Sequence, residues 1–327
     1  MRHETAPIAL SIGEPAGIGP EVAARAWAAL KSDMTFFVIG DPSHIPGPVS
    51  VIHRPADAGA MMSQGLPVLA RDFGAPQVFG TPNPAHAPHV VEAIREGVAL
   101  VMSGDAGALT TCPINKKALK DGANFAFPGH TEFLAHLAGV EDVVMMLACP
   151  ELRVVPATIH IPIRDVPKTL TRAQLRKTIR ITHSALAAQG IANARIAVAG
   201  LNPHAGEGGA MGREELEWIA PLVADLRAEG MAVFGPLPAD TMFHAGARKT
   251  YDVAVCMYHD QALIPIKTID FAGGVNVTLG LPFVRTSPDH GTAFDIAGTG
   301  RADPTSLIAA LKMARDMAMN GPPNDSD

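Results

Sequence analysis

Short apolar runs alternate with longer amphipathic stretches along most of the chain, and this alternation predicts an α/β fold. Between residues 41 and 90 the chain is rich in Pro, Gly and Ala, so irregular connections are expected there. Alternation of this kind is typical of βαβ units, in which helices cover both faces of a mostly parallel sheet. Predicted strands lie at 8–12, 35–40, 108–111, 143–148, 153–160, 195–200 and 252–258, and predicted helices at 21–31, 90–103, 171–189, 213–229 and 304–319.

Length, charge and cysteine content exclude several classes of protein. The 327 residues are enough for one large or two medium domains, and the net charge of −6 provides no basic surface for nucleic acid. No apolar run approaches the roughly 18 residues of a membrane span, and the start lacks a signal-peptide layout. Cys112, Cys149 and Cys256 are widely spaced, which indicates free thiols in a reducing compartment. We therefore expect a cytoplasmic protein that binds neither nucleic acid nor membranes.

Three histidines follow predicted strands at matching positions, namely His160, His204 and His259. In open α/β sheets, ligands bind at the carboxyl ends of the strands. Three imidazoles brought there can share one divalent metal and leave it open positions for a substrate. The alternative is that each is an ordinary strand-end histidine. Asp260 and Gln261 follow His259 directly and are candidates for fixing its tautomer.

Other polar stretches have two possible roles each. The loop with Gly17 and Gly19 precedes a helix and either accepts a phosphate or cofactor on its N–H groups or is a plain tight turn. It lacks the third glycine of the dinucleotide fingerprint. Thr131 either caps a helix or, with His130, contacts a substrate. Residues 289–298 are a candidate nucleotide-contact loop.

The segment from Lys267 to Arg285 also contains Asn276, and these polar groups are well spaced. A lysine and an arginine on either side of an amide can hold a phosphate and a carboxylate. Taken without other information, the segment is more typical of a solvated surface loop.

Ordered motifs from the first predicted strand to the last predicted helix resemble the 4-hydroxythreonine-4-phosphate dehydrogenase family of pyridoxal phosphate biosynthesis. Gly17–Val22 and His290–Ala297 are also similar to the opening and adenosine-binding loops of the isocitrate and isopropylmalate dehydrogenases. The motifs are Gly13–Pro20, Gly129–Phe133, Val144–Ala148, Gly200–Gly209, Gly235–Thr241, Met257–Gln261, Gly274–Asn276, Thr278–Pro282, Arg285–Ser287 and Asp289–Ala293.

The resemblance implies a two-domain α/β fold of the isocitrate/isopropylmalate dehydrogenase type, with mostly parallel sheets and an active cleft between the domains. Residues 1–130 plus 268–327 are then a discontinuous cofactor-binding domain, and 131–267 a metal-binding and dimerisation domain. The resemblance also implies an obligate homodimer whose metal sites combine histidines of two subunits. Carried over by position, the metal ligands are His160, His204 and His259, the substrate contacts His130, Thr131, Lys267, Asn276 and Arg285, and the cofactor contacts Gly17, Gly19, His290, Gly291, Thr292 and Asp295.

The implied reaction is the NAD- or NADP-linked oxidation of 4-phosphohydroxy-L-threonine, followed by decarboxylation to 3-amino-2-oxopropyl phosphate, in pyridoxine 5′-phosphate biosynthesis. One divalent ion per site is expected, either Zn, Co, Mn, Ni or Mg, and Lys267 and Asp260 are the candidate catalytic groups. A related dehydrogenase of D-threonate or D-erythronate 4-phosphate would share every one of these residues. A metal-dependent hydrolase is a further alternative.

Two stretches depart from the family pattern. The loop Cys112–Lys117 differs from the Gly-Pro version expected of the family, and Ala272-Gly273-Gly274 stands where some relatives have an arginine. Either difference is expected to affect substrate preference rather than the metal.

Overall fold

The computed structural model describes residues 6–320, and these form two compact units. The first unit contains the described chain up to Asp142 together with Leu281–Met319, and the second contains Val143–Gly280. The first unit is therefore discontinuous in sequence. Its boundaries fall after residues 142 and 280, whereas the sequence analysis expected boundaries after residues 130 and 267.

The first unit is built on a parallel sheet in which the order of the strands is β3-β4-β2-β1-β5-β12. Both β1 and β5 are entirely buried, as expected for central strands covered on both faces. The strands are β1 (Ile8–Ser11), β2 (Phe36–Gly40), β3 (Val49–Ile52), β4 (Leu66–Ala70), β5 (Ala108–Thr111) and β12 (Arg285–Pro288).

Helices of the first unit pack apolar stripes against this sheet. In the first helix, Val22, Ala26 and Leu30 recur at the spacing of one helical face and are all buried. The indole of Trp27 on the same helix donates a hydrogen bond to the carbonyl of Met62. The helices are α1 (Gly19–Leu30), α2 (Ala58–Met61), α3 (Ala87–Met102), α4 (Lys116–Ala123), α5 (His130–Ala138) and, at the end of the chain, α11 (Thr305–Asn320).

The second unit has a mixed sheet in the order β11-β6-β7-β10-β8-β9. The β11/β6 and β6/β7 pairs are antiparallel, while β7/β10, β10/β8 and β8/β9 are parallel. The strands are β6 (Val144–Cys149), β7 (Leu152–Pro156), β8 (Ile196–Ala199), β9 (Val233–Leu237), β10 (Val253–Cys256) and β11 (Val275–Leu279). The helices are α6 (Val166–Thr169), α7 (Arg172–Ala188), α8 (Ala220–Ala228), α9 (Ala245–Arg248) and α10 (His259–Ile269).

The structure confirms the predicted α/β class and every predicted strand and helix, but it corrects several details. Residues 41–90 are not simply irregular, because they include β3 and β4. Pro67 lies inside β4, and a proline within an apolar run argues against a strand, which is why the sequence pattern missed it. The strand before His160 ends at Pro156, so that histidine lies in the following loop. No helix among residues 6–320 is long and apolar enough to cross a membrane.

A pair of buried histidines lies beneath the loops of the first unit. The Nε2 atoms of His44 and His86 lie 3.1 and 2.9 Å from the same carbonyl oxygen, that of Ala75. The two ring centroids are 5.0 Å apart, and Phe73 packs edge-on against His44. Burial is the main cause that lowers the pKa of His44, and the proximity of His86 adds to it, while Asp41 opposes both.

The lowered pKa predicts that the free energy of unfolding decreases as the pH falls from 7.5 to 5.5. The unfolded chain binds a proton at His44 near pH 6.5, whereas the folded chain binds it only at lower pH, so acid favours unfolding. Urea denaturation at the two pH values measures the difference. We expect His44→Gln to reduce the pH dependence.

His53→Gln is the matched control, because His53 is exposed. An unchanged pH dependence in the His44 variant would contradict this assignment.

Candidate functional site

Three adjacent parallel strands of the second unit each lead to one of the predicted metal-ligating histidines. His160 follows β7, His259 follows β10 and His204 follows β8. The order β7-β10-β8 places the strand of His259 between the other two. Because these strands are parallel, all three loops leave the sheet at the same edge.

Two of the three histidines lie side by side. The rings of His160 and His259 have centroids 5.6 Å apart. Their loops are joined beyond the strand ends, where the Ala157 N–H donates to the Cys256 carbonyl and the Thr158 hydroxyl donates to the Met257 carbonyl, both at 2.7 Å. The backbone of His160 has φ of +50°, in the left-handed region that non-glycine residues rarely adopt and that is enriched at functional sites.

The residues after His259 have different roles from each other. The Asp260 carboxylate lies 2.7 Å from Nδ1 of His259, so it holds the ring with Nε2 available for another partner. Gln261 does not fix a histidine tautomer as the sequence analysis suggested. Its amide accepts from the N–H of Met257 and donates to the carbonyl of Gly200, which ties the end of β8 to the end of β10.

His204 lies in a strained, glycine-rich loop held by a buried carboxylate. His204, Ala205 and Glu207 all have positive φ, between 43° and 53°. The two oxygens of Glu215 accept hydrogen bonds from the backbone and side-chain amides of Asn202, at 2.7 and 2.9 Å. A Cβ on Gly206 would lie 2.7 Å from Oε2 of Glu215, so glycine is required there. Glu215 begins a π-helical turn, a distortion often found at functional sites.

The three histidines do not form a complete site within one chain. Among residues 6–320, no three His, Cys, Asp or Glu side chains come close enough together to hold one metal ion. His160 and His259 therefore offer two imidazole donors, with one ring already oriented by a carboxylate. This donor set fits a divalent transition-metal ion that takes its remaining ligands from elsewhere.

The predicted substrate residues of the first unit form a cationic site. Arg285 begins β12 and is only 3% exposed, and its guanidinium donates to the hydroxyl of Thr111 at 2.6 Å. Burial lowers the pKa of Arg285 to about 10, which leaves the guanidinium protonated at neutral pH. The imidazole of His130 is near enough to Arg285 and Lys116 for both positive charges to act on it.

His130 and Thr131 begin α5, but neither caps it. The residue before the helix is Gly129, which makes no side-chain cap, so of the two alternatives for Thr131 the capping one is wrong. Burial, followed by the charges of Arg285 and Lys116, holds the pKa of His130 well below its usual range. Nε2 of His130 is shielded from solvent and has no hydrogen-bond partner among residues 6–320.

The segment from Lys267 to Arg285 is not a solvated surface loop. Lys267 lies in the last turn of α10, Asn276 lies on β11 opposite Leu147 of β6, and Arg285 is a buried strand residue. At about 1.5 Å per helical residue, Lys267 is roughly 12 Å along α10 from His259. The side-chain oxygen of Asn276 is buried, with no hydrogen-bond partner in the described part of the chain.

The two predicted cofactor loops touch each other in the first unit. Ile18 donates its N–H to the carbonyl of Thr292 at 3.0 Å, and a Cβ on Gly17 would lie 2.8 Å from that same oxygen. Only glycine permits this approach. Gly19 is the first residue of α1.

The remaining members of the predicted cofactor set lie around Thr292. Gly291 and Asp295 are exposed, and the carbonyl of Gly291 lies 3.0 Å from Nδ1 of His290. The structure therefore brings together the two stretches, near Ile18 and near Thr292, that the resemblance assigned to the cofactor.

Sequence reasoning missed three residues that shape these sites, namely Thr111, Lys116 and Glu215. Two of them had a detectable signal. Lys116 and Lys117 stand at the start of a helix, where the dipole disfavours cations, and Glu215 follows a glycine-rich loop that needs hydrogen-bond acceptors. Thr111 had none, because its bond to Arg285 joins residues 174 positions apart.

Comparison with known proteins agrees with this geometry. A family model described as pyridoxal phosphate biosynthetic protein PdxA matches residues 27–314. A 4-hydroxythreonine-4-phosphate dehydrogenase of Roseobacter denitrificans is 59% identical over 322 residues, which cover 97% of this chain and 99% of the relative.

Solved structures extend the comparison. The crystal structure of a 4-hydroxythreonine-4-phosphate dehydrogenase from Klebsiella pneumoniae is 38% identical with a TM-score of 0.87, over 96% of this chain and 99% of that one. A terephthalate 1,2-cis-dihydrodiol dehydrogenase from Burkholderia xenovorans is 28% identical with a TM-score of 0.66, over 95% and 98%. The resemblance seen in the sequence motifs is confirmed, and this chain belongs to the PdxA family of pyridoxal phosphate biosynthetic proteins.

Proposed function

We propose that this protein oxidises the secondary alcohol of 4-phosphohydroxy-L-threonine with NAD or NADP and that the product loses CO₂ to give 3-amino-2-oxopropyl phosphate. This step belongs to pyridoxine 5′-phosphate biosynthesis. The observation that carries the proposal is the match, over nearly the full length of both chains, to dehydrogenases of that name. The geometry of both units provides the groups that this reaction needs.

Substrate binding is assigned to His130, Thr131, Lys267, Asn276 and Arg285. The guanidinium of Arg285 is protonated and partly desolvated, so it interacts strongly with an anionic oxygen. His130 is neutral at pH 7, and its buried Nε2 is available to a polar group of the substrate. The buried oxygen of Asn276 is a matching acceptor for an N–H or O–H group.

The metal ligands are assigned to His160, His204 and His259. A divalent ion bound there would act as a Lewis acid, acidifying the substrate hydroxyl and stabilising the negative charge that develops as CO₂ leaves. Imidazole donors suit Zn, Co, Ni or Mn, and suit Mg less well. Asp260 fixes the orientation of the His259 ring, and we propose it as a positioning residue. Of the two candidate catalytic groups, Lys267 is then the proposed base for the hydroxyl proton.

We propose that the protein is a homodimer whose metal sites combine His160 and His259 of one subunit with His204 of the other. The incomplete two-histidine site in a single chain supports this arrangement. The second unit also exposes large apolar side chains, as a surface that pairs with another copy would. They are Ile163, Met211, Leu216, Ile264 and Phe271. Met211 and Leu216 closely follow the loop of His204, and Ile163 follows that of His160.

The cofactor is assigned to the touching loops of the first unit, through Gly17, Gly19, His290, Gly291, Thr292 and Asp295. When bound, NAD or NADP accepts the hydride of the oxidised alcohol. Contact between Ile18 and Thr292 supports a shared role for the two loops. We also propose a cytoplasmic location, which the three buried, free cysteines support.

A dehydrogenase of D-threonate or D-erythronate 4-phosphate is the second candidate. The Burkholderia xenovorans relative is named for a dihydrodiol substrate, which supports a range of alcohol substrates among proteins with this fold. The chain departs from the family pattern at Cys112–Lys117 and Ala272–Gly274, and these differences are expected to affect substrate preference. Both classes of substrate should therefore be tested. If the protein were a hydrolase, the two cofactor loops that contact each other would have no role.

Turnover of 4-phosphohydroxy-L-threonine should produce NADH or NADPH, detected by absorbance, only when a divalent metal is present. Activity should exceed that with D-erythronate 4-phosphate or D-threonate 4-phosphate under the same conditions. Greater activity on a sugar acid would replace the proposed substrate. Absence of any nucleotide reduction with all three substrates would exclude the dehydrogenase function.

Complementation tests the shared metal site. His204→Ala and His259→Ala should each abolish turnover without unfolding the protein. Dimers formed by co-expression of the two variants should recover about a quarter of wild-type activity, because half are mixed and each mixed dimer has one intact site. If all three histidines served one chain's own site, the mixture would stay inactive.

Removing the partner of His259 should weaken metal binding. Asp260→Ala is expected to reduce metal affinity by roughly ten- to hundredfold, as typical for the loss of a carboxylate that orients a histidine ligand. Calorimetric titration with Zn²⁺ measures this. Glu217→Ala is the control, because that carboxylate pairs with Arg213 on the surface. Equal zinc affinity in both variants would contradict the assigned role.

A further inference from the structure

An additional lysine belongs to the cationic site of the first unit. Lys116 is the first residue of α4, and its Nζ lies 3.5 Å from the point that a Cβ on Gly129 would occupy. Gly129 directly precedes His130 at the start of α5. The ammonium therefore lies beside the first turn of α5, on which two of the proposed substrate contacts are located.

Neither the helix nor an ion pair explains the position of this charge. A cation in the first turn of a helix faces the positive end of the dipole, which is unfavourable. Lys117 also lies in the first turn, near the positive end of the dipole, but it forms an ion pair with Asp121 one turn later. Lys116 forms no ion pair among residues 6–320. Oε2 of the nearby Glu132 lies 3.4 Å from the same Cβ point at Gly129. The Glu132 carboxylate is nevertheless not within ion-pair distance of the Lys116 ammonium.

Three features around Lys116 match a doubly charged anion. The guanidinium of Arg285 supplies a second positive charge that acts on the same imidazole, that of His130. The start of α5 has no side-chain cap, so its first N–H groups are available to an anion. The shielded Nε2 of His130, which lacks a partner in the described chain, provides a polar atom at the same place.

We propose that Lys116 is a substrate-binding residue that, together with Arg285, holds the phosphate of the substrate beside His130. Two cations neutralise a phosphate dianion, whereas a carboxylate needs only one. The proposal rests on the proposed function for the identity of the substrate, but not for the presence of a phosphate site. It also gives a role to the Cys112–Lys117 loop, one of the stretches that departs from the family pattern.

Calorimetric titration of the full-length protein with inorganic phosphate tests the site without any turnover. Lys116→Met should weaken phosphate binding roughly tenfold or more, the usual effect of losing a hydrogen bond to a charged group. Lys116→Arg should recover most of the affinity. Lys117→Met is the matched control, since it removes a neighbouring charge that is exposed like that of Lys116 but is ion-paired with Asp121. Its phosphate affinity should change less than about twofold.

Kinetics separate binding from a structural role. With 4-phosphohydroxy-L-threonine, Lys116→Met should raise KM roughly ten- to hundredfold with kcat little changed, and Lys116→Arg should lower KM again. Phosphate affinity equal to wild type in Lys116→Met, or an equal loss in Lys117→Met, would overturn the proposal. If the wild-type protein binds phosphate through Lys116 but reduces no NAD or NADP, the phosphate site stands and the proposed function fails.

Discussion

The parallel pairing of β7, β10 and β8 is the constraint on which the proposed metal-binding region depends. Parallel strands release their loops at the same edge, so three histidines separated by 44 and 55 positions in sequence reach one side of the sheet. Backbone and side-chain hydrogen bonds continue this pairing beyond the strands, through Thr158 and Gln261. The Thr158 bond joins the loops of His160 and His259, and the Gln261 bonds join the loops of His204 and His259.

The second unit concentrates strained backbone where the proposed chemistry lies. His160 and His204 both adopt the left-handed conformation, which costs on the order of 1–3 kcal/mol for a non-glycine residue. Glu215 offsets part of this strain by holding the His204 loop through charged hydrogen bonds to Asn202. Strain of this kind persists only where the surrounding contacts enforce it, which is consistent with preformed metal ligands.

We propose a different task for the first unit, the binding of anions. Burying Arg285 costs solvation, and hydrogen bonds such as the one to the hydroxyl of Thr111 offset this cost. An anionic ligand would place a negative charge beside the positive charges of Arg285 and Lys116. The same unit joins its two sequence segments through Ile18 and Thr292, so the discontinuous sequence forms one folded body with its own core.

The sequence alone determined the α/β class, the order of most strands and helices, and the histidines at the strand ends, because hydrophobic periodicity and strand-terminal polar residues are local signals. Family motifs added the assigned substrate and cofactor residues. Only the tertiary structure decided that β4 forms despite Pro67, that Arg285 is buried, and that Lys116 lies beside His130. Each of these depends on contacts between residues that are distant in sequence. A local sequence pattern carries no information about the free energy of such contacts.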